Sequence, residues 1–181
     1  MAIIDCLMIK SEIATSISHQ LQVKVLANYL DCDTTEIIIN RTGKPTLSSH
    51  PNIHFSVSHT NNYFCICIST IPIGCDIEST DRPISTRTLL RGQQNQSKEL
   101  SNQSKLITWT GWEAHCKAIG RGLFFPIQPD VFSLVQSFVW QSLYCSVTPL
   151  TKNSDLKIYQ IQVDQNSEPT IAHKQQWSPV L

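Results

Sequence analysis

Charge is scarce in this sequence. Asp, Glu, Lys and Arg make up only 15% of the 181 residues, fourteen acidic against fourteen basic, with no run of like charges. That removes the electrostatic footprint of a nucleic-acid or membrane-surface binder, so any bound anion must be held locally. Long apolar runs are also missing. No stretch approaches the roughly 18 apolar residues of a membrane-crossing helix, and the amino terminus lacks the pattern of a secretory leader. A cytoplasmic protein is expected. Paired cysteine motifs are absent as well. The seven cysteines are odd in number and form no CxxC, while Cys65 and Cys67 stand two apart in an apolar run, where a strand points both to one face. They read as reduced, buried small hydrophobes rather than as metal ligands or nucleophiles.

What is present suffices for one fair-sized domain or two small ones sharing a core, with 41% apolar residues. Ile3 to Met8 reads as a strand, and Ile17, Leu21, Val25 and Leu26 recur with helical spacing between Ser16 and Leu30. Glu36 to Asn40 is β-branched and leads into TGKPTL, where Gly43 and Pro45 impose a turn. Ile53 to Ser58, Tyr63 to Ser69 and Ile71 to Ile77 are strand-like and suggest a three-stranded meander. Beyond Pro83 the pattern becomes helical, with Ser85 a candidate cap, Leu89 and Leu90 facing inward, and a longer helix from Lys105 to Ile119 that Gly120 ends. Val131 to Val147 and Lys157 to Val163 return to strand-like alternation. The expected fold is α+β, with two halves, 1–73 and 74–181, that each carry a helix and a small antiparallel sheet.

The chemistry concentrates in a few short segments. In IGCDIE, Asp76 and Glu78 alternate along an apolar strand and project from one face, bringing two carboxylates together that need a cation. Magnesium suits them, because it takes few protein carboxylates and completes its shell with water and substrate phosphate. Alone, a DxE is more often a turn cap and a solvated strand end than a metal site. In WTGWEAHCKAIG, Glu113 and Lys117 lie four apart on one helical face, able to meet a metal and a phosphate together, although such pairs are common on helix surfaces. Ser58 and His59 close a strand where the chain turns. His59 and Lys44, beside Gly43, are candidate phosphate donors.

Read in order, GKPTL, IHFSVSHT, PIGCDIE and WTGWEAHCKAIGRGL resemble the signature of the surfactin-synthetase type 4′-phosphopantetheinyl transferases, from about Thr42 to Pro126. The resemblance implies a pseudo-dimer of two α+β halves with coenzyme A in the cleft. It implies magnesium held by Asp76, Glu78 and Glu113, with Lys117 on a phosphate oxygen of the pyrophosphate, His59 on the 3′-phosphate, and Ser58 and Lys44 around the adenosine end. The implied reaction moves phosphopantetheine from coenzyme A to a serine of an apo acyl or peptidyl carrier protein, releasing adenosine 3′,5′-bisphosphate. A monomer is implied, with no nucleic-acid or membrane partner.

The sequence departs from the family pattern at three places. Trp112 stands where a lysine usually precedes the glutamate of the last motif. The basic segment near the start has no clear counterpart, Lys10 and Lys24 being poorly placed substitutes. Between the second and last motifs the amide-rich run Gly92 to Lys105 offers one carboxylate, Glu99, as general base, unless a metal-bound water serves instead. The missing basic segment and Trp112 motivate an alternative, a non-catalytic module that binds coenzyme A or a carrier protein. The retained acids argue against it, since clustered carboxylates without a metal cost stability. Another metal-dependent phosphotransferase or nuclease explains the acids but not the GKP turn or the Ser-His strand end. On the transferase reading, Asp76→Ala is expected to abolish transfer and leave the fold intact.

Overall fold

A computed structural model describes residues 1–10, 18–33, 35–40, 43–85, 100–123, 129–164 and 170–171. Its architecture follows from one strand that is apolar on both faces. In β1 (Ala2–Lys10), every side chain from Ile4 to Ile9 is buried. Ile4, Cys6 and Met8 enter one core, and Leu7 and Ile9 enter another. Such a strand needs cover on both sides.

One cover is helix α1 (Ser18–Leu30), whose Leu21, Val25 and Leu26 pack with Leu7, Ile9 and Phe55. Each large aliphatic or aromatic side chain fully removed from water there contributes about 1.5–3 kcal/mol. The short hairpin β2 (Ile37–Ile39) and β3 (Pro45–Leu47) follows, with Gly43 at φ +82 in its connection. The next hairpin, β4 (His54–Thr60) and β5 (Tyr63–Ser69), turns through Asn61 at positive φ.

The chain then crosses to a second sheet, which supplies the other cover. It is built from β6 (Ile73–Ser79), β7 (Gln136–Trp140) and β8 (Leu143–Pro149), in the order β6-β8-β7. Cys75, Ile77, Cys145 and Val147 meet Ile4, Cys6 and Met8 in the core between the sheets. Helix α2 (Asn102–Ile119) lies on the far side of β6 and β8. Finally β9 (Ser154–Asp164) returns to pair in parallel with β1, and β10 (Thr170–Ile171) pairs with β9, giving the first sheet the order β10-β9-β1-β5-β4.

The α+β class expected from the sequence is what the structure shows. In both sheets a leading strand lies antiparallel to the second strand of a later hairpin, β1 beside β5 and β6 beside β8, with a helix in between along the chain. Two expectations change. Strands β4, β5 and β6 are not a meander, because β6 pairs with β8 rather than β5. Its other edge meets β4 through side chains: Cys75 and Ile77 donate their N–H groups to the Ser56 and Ser58 hydroxyls at 3.1 and 3.2 Å. Two serines thus replace a backbone ladder at the seam between the sheets. Residues 129–134 form a 3-10 turn, not the start of a strand. The helical reading around Ser85, Leu89 and Leu90 falls largely on 86–99, outside the described residues.

Candidate functional site

Alternation along β6 sets the site. Cys75 and Ile77 point into the core between the sheets, so Gly74, Asp76 and Glu78 face α2. Gly74 is what lets the helix come close. A Cβ there would sit 1.9 Å from the Ala114 carbonyl oxygen and 2.5 Å from the Ala118 nitrogen, both backbone atoms with no rotamer to change. Gly74→Ala should therefore cost more than the about 1–3 kcal/mol of ordinary overpacking, because the helix itself must move. A thermal melt unchanged from wild type would refute this packing.

Helix α2 is delimited by local chemistry. Ser101 accepts the Ser104 N–H at its start, and Gly120, at φ +67, ends it with N–H contacts to Cys116 and Lys117 carbonyls. One stripe, Leu106, Trp109, Trp112 and Cys116, is buried with Ile84. An adjoining stripe carries Glu113 and Lys117 over β6.

The structure brings together the residues singled out as metal ligands. Carboxylate oxygens of Asp76, Glu78 and Glu113 lie within 4.8 Å of one another. Asp76 is 2% exposed, and its Oδ1 accepts from the Ser58 hydroxyl at 2.7 Å and from Lys117 Nζ at 2.9 Å. Lys117 also reaches Glu113 Oε1 at 3.3 Å, and Arg82 pairs with Glu78. Three carboxylates against two cations leave an excess of negative charge. Burial pushes the Asp76 carboxyl up to about 7, opposed by Lys117. For Lys117 burial alone acts downward, but Asp76 and Glu113 outweigh it and hold the ammonium above its usual range. Asp76 Oδ2 is buried with no hydrogen-bond partner among the described residues. An orphaned anionic oxygen beside two other carboxylates fits a hard divalent ion such as magnesium.

Lys117 is shared with a cavity of about 370 Å³, also lined by Lys44, Ser56, Gly120, Arg121 and Gly122. Among the described residues that line it none is acidic, so the cavity suits an anion. Lys44 donates to the carbonyls of Ile73 at 3.1 Å and Ala118 at 2.8 Å, tying the β2–β3 hairpin to the end of α2. Burial lowers its ammonium from the usual value. Ser58 is buried, its hydroxyl engaged by Asp76, Ile77 and Lys117. His59 is exposed and stacks on Phe64, with ring centroids 5.8 Å apart. Glu99, the candidate base, lies outside the described residues.

Sequence reasoning assigned no role to Arg82, Ser56 or Arg121. The GRG that stops the helix was the signal for Arg121, since a cation between two glycines at a helix end has room to reach an anion. Trp112 is 3% exposed and packs edge-on against Trp109, 5.4 Å between ring centroids. A core contact thus occupies the position where the family usually has a lysine.

No family model matches the chain. Among curated proteins, the chain is 30% identical over 113 residues to the 4′-phosphopantetheinyl transferase gsp of Aneurinibacillus migulanus, covering 58% of this chain and 47% of that protein. It is 32% identical over 100 residues to the 4′-phosphopantetheinyl transferase Sfp of Bacillus subtilis strain 168, covering 51% and 43%. A 4′-phosphopantetheinyl transferase ffp of Bacillus subtilis matches to the same extent. The chain spans about half the length of the curated relatives it matches. The resemblance to the surfactin-synthetase type 4′-phosphopantetheinyl transferases, read from four short motifs, is borne out by these relatives.

Proposed function

We propose that this protein transfers the 4′-phosphopantetheine arm of coenzyme A to a serine of an apo acyl or peptidyl carrier protein, leaving adenosine 3′,5′-bisphosphate. The observation that carries this reading is the position of Lys117, which joins the Asp76, Glu78 and Glu113 trio to a cavity with cationic lining. A largely buried acid cluster and an anion cavity that share one lysine supply what metal-assisted phosphoryl transfer needs.

In this reading Asp76, Glu78 and Glu113 hold magnesium, which when bound neutralises charge on the phosphoryl oxygens during displacement. Lys117 sets its positive charge between the acid cluster and the cavity, where it meets a phosphate oxygen. Ser58 fixes the Asp76 carboxylate from beneath, and Lys44, Arg121 and exposed His59 supply positive or donor groups towards the nucleotide end. Glu99 is proposed as the base that takes the serine proton. The recurrence of strand, helix and hairpin supports a pseudo-dimeric fold divided near Ile73, with one chain sufficient for the site. No helix among the described residues is long and apolar enough to cross a membrane.

The test is intact mass spectrometry of apo carrier protein incubated with this protein, coenzyme A and magnesium, beside a chelator control. A chelator-sensitive gain of one phosphopantetheine is expected. No gain across acyl and peptidyl carriers would favour the non-catalytic binding module.

A pH dependence follows from Asp76. Its folded pKa of about 7 lies above the ordinary carboxylate value, so burial favours the protonated form and penalises the metal-free protein as pH rises through 7. Magnesium needs the ionised form. Its affinity should fall about tenfold per pH unit below 7 and level off above 8, with proton release at neutral pH. Calorimetry in buffers of different ionisation enthalpy measures both. A flat affinity between pH 6 and 8 contradicts Asp76 as a ligand.

A further inference from the structure

The core between the two sheets holds a cluster of sulfur that the proposed reaction leaves unused. Antiparallel pairing sets Cys6 of β1 opposite Cys67 of β5, and Cys65 follows two residues away on the same face. The sulfurs of Cys6, Cys65 and Cys67 all lie within 4.8 Å of one another. Cys6 Sγ is 3.5 Å from Cys65 Sγ and 3.8 Å from the Met8 thioether, and Cys65 Sγ is 3.8 Å from Cys67 Sγ. Each of the three cysteines is at most 1% exposed. Among the described residues, no histidine or carboxylate joins this group.

We propose that Cys6, Cys65 and Cys67, with Met8 beside them, form a binding site for a soft monovalent cation of the Cu(I) class. Apolar packing alone does not require sulfurs from two strands to converge on one point, since valine or isoleucine fills such a core equally well. Metal–sulfur bonds of about 2.3 Å in a trigonal or tetrahedral site place neighbouring sulfurs about 3.8–4.0 Å apart, close to the spacing already present. Thiolates and a thioether without oxygen or nitrogen donors select soft ions over magnesium or calcium. Burial selects the charge, because a net ionic charge in this core is costly. Loading a monovalent ion converts one of the three thiols to a thiolate bound to the ion and releases one proton to solvent, leaving the site neutral. A divalent ion demands a second thiolate.

The test uses the reduced full chain under anaerobic conditions, after alkylating in the folded state any thiol that reacts, such as half-buried Cys32. Cu(I) is offered from a chromogenic chelator in two arms, to the folded protein and during refolding, because the closed core slows entry. One equivalent is expected to survive desalting, to raise the melting temperature and to show only sulfur neighbours by X-ray absorption. Cys65→Ala, checked for folding by circular dichroism, is expected to retain at least tenfold less copper. No retained copper in either arm overturns the proposal. So does copper with oxygen or nitrogen neighbours, or copper retained equally by a folded Cys65→Ala protein. None of these outcomes depends on carrier-protein transfer.

Discussion

Asp76→Asn should reduce transfer to a carrier protein by about 10³-fold while the protein remains folded, the loss expected when a metal or electrostatic stabiliser of the transition state is removed. Asparagine keeps the shape and can still accept the Ser58 hydroxyl now donated to Oδ1 at 2.7 Å. What disappears is the charge, and with it the buried Oδ2 that has no partner among the described residues. The same variant should lose the pH dependence of magnesium binding. Asp76→Ala is a poorer test than the sequence suggested, and the expectation that it leaves the fold intact changes. It strands the Ser58 hydroxyl and takes from Lys117 its nearest anion, at 2.9 Å. Because the Lys117 side chain is still 30% exposed, the resulting loss of stability falls below the about 3–5 kcal/mol of a fully buried pair. Transfer by Asp76→Asn at the wild-type rate, measured by carrier mass gain, removes the metal from the mechanism.

Much of this site was legible because it rests on period. Two carboxylates two apart in a strand share a face whatever the tertiary fold, and an acid and a lysine four apart on a helix are neighbours. The helix end was legible for the same reason, since Gly120 supplies the left-handed residue that closes it. What period does not carry is the partner across space. Nothing local says that β6 leaves β5 for β8, since that choice depends on serine hydroxyls of β4 sealing its other edge. Nor does spacing reveal that Ser58 lies beneath Asp76, or that Lys44 reaches the carbonyl of Ala118, far along the chain. Six of the seven cysteines are buried, as the sequence suggested, with Cys32 only half-buried, but the convergence of Cys6, Cys65 and Cys67 is a property of β1–β5 register. Trp112 shows the converse case: a departure from the family pattern becomes intelligible once the position is seen packed on Trp109.

Lys117→Met should separate binding from chemistry at this site. In the metal-free protein, Lys117 is the cation that offsets Asp76 and Glu113, at 2.9 and 3.3 Å. A divalent ion entering between those carboxylates meets a positive charge already in place. Removing it should tighten magnesium binding, by about tenfold or more, while transfer slows by about 10²-fold through loss of a phosphate contact made in the transition state. Methionine keeps the unbranched stem and most of its packing, so the change is chiefly electrostatic. Stability should become metal-dependent. Without Lys117 the carboxylates repel one another, so the melting temperature in chelator falls below wild type, and saturating magnesium restores more than it does for wild type. A simple surface ion pair predicts something else, a change of under about 1 kcal/mol with magnesium affinity and transfer both unmoved. Calorimetric magnesium titration, paired melts with and without chelator, and carrier mass gain distinguish the two. Weaker magnesium binding in Lys117→Met would also contradict the arrangement, because it would make the lysine an organiser of the acid cluster rather than its competitor for charge.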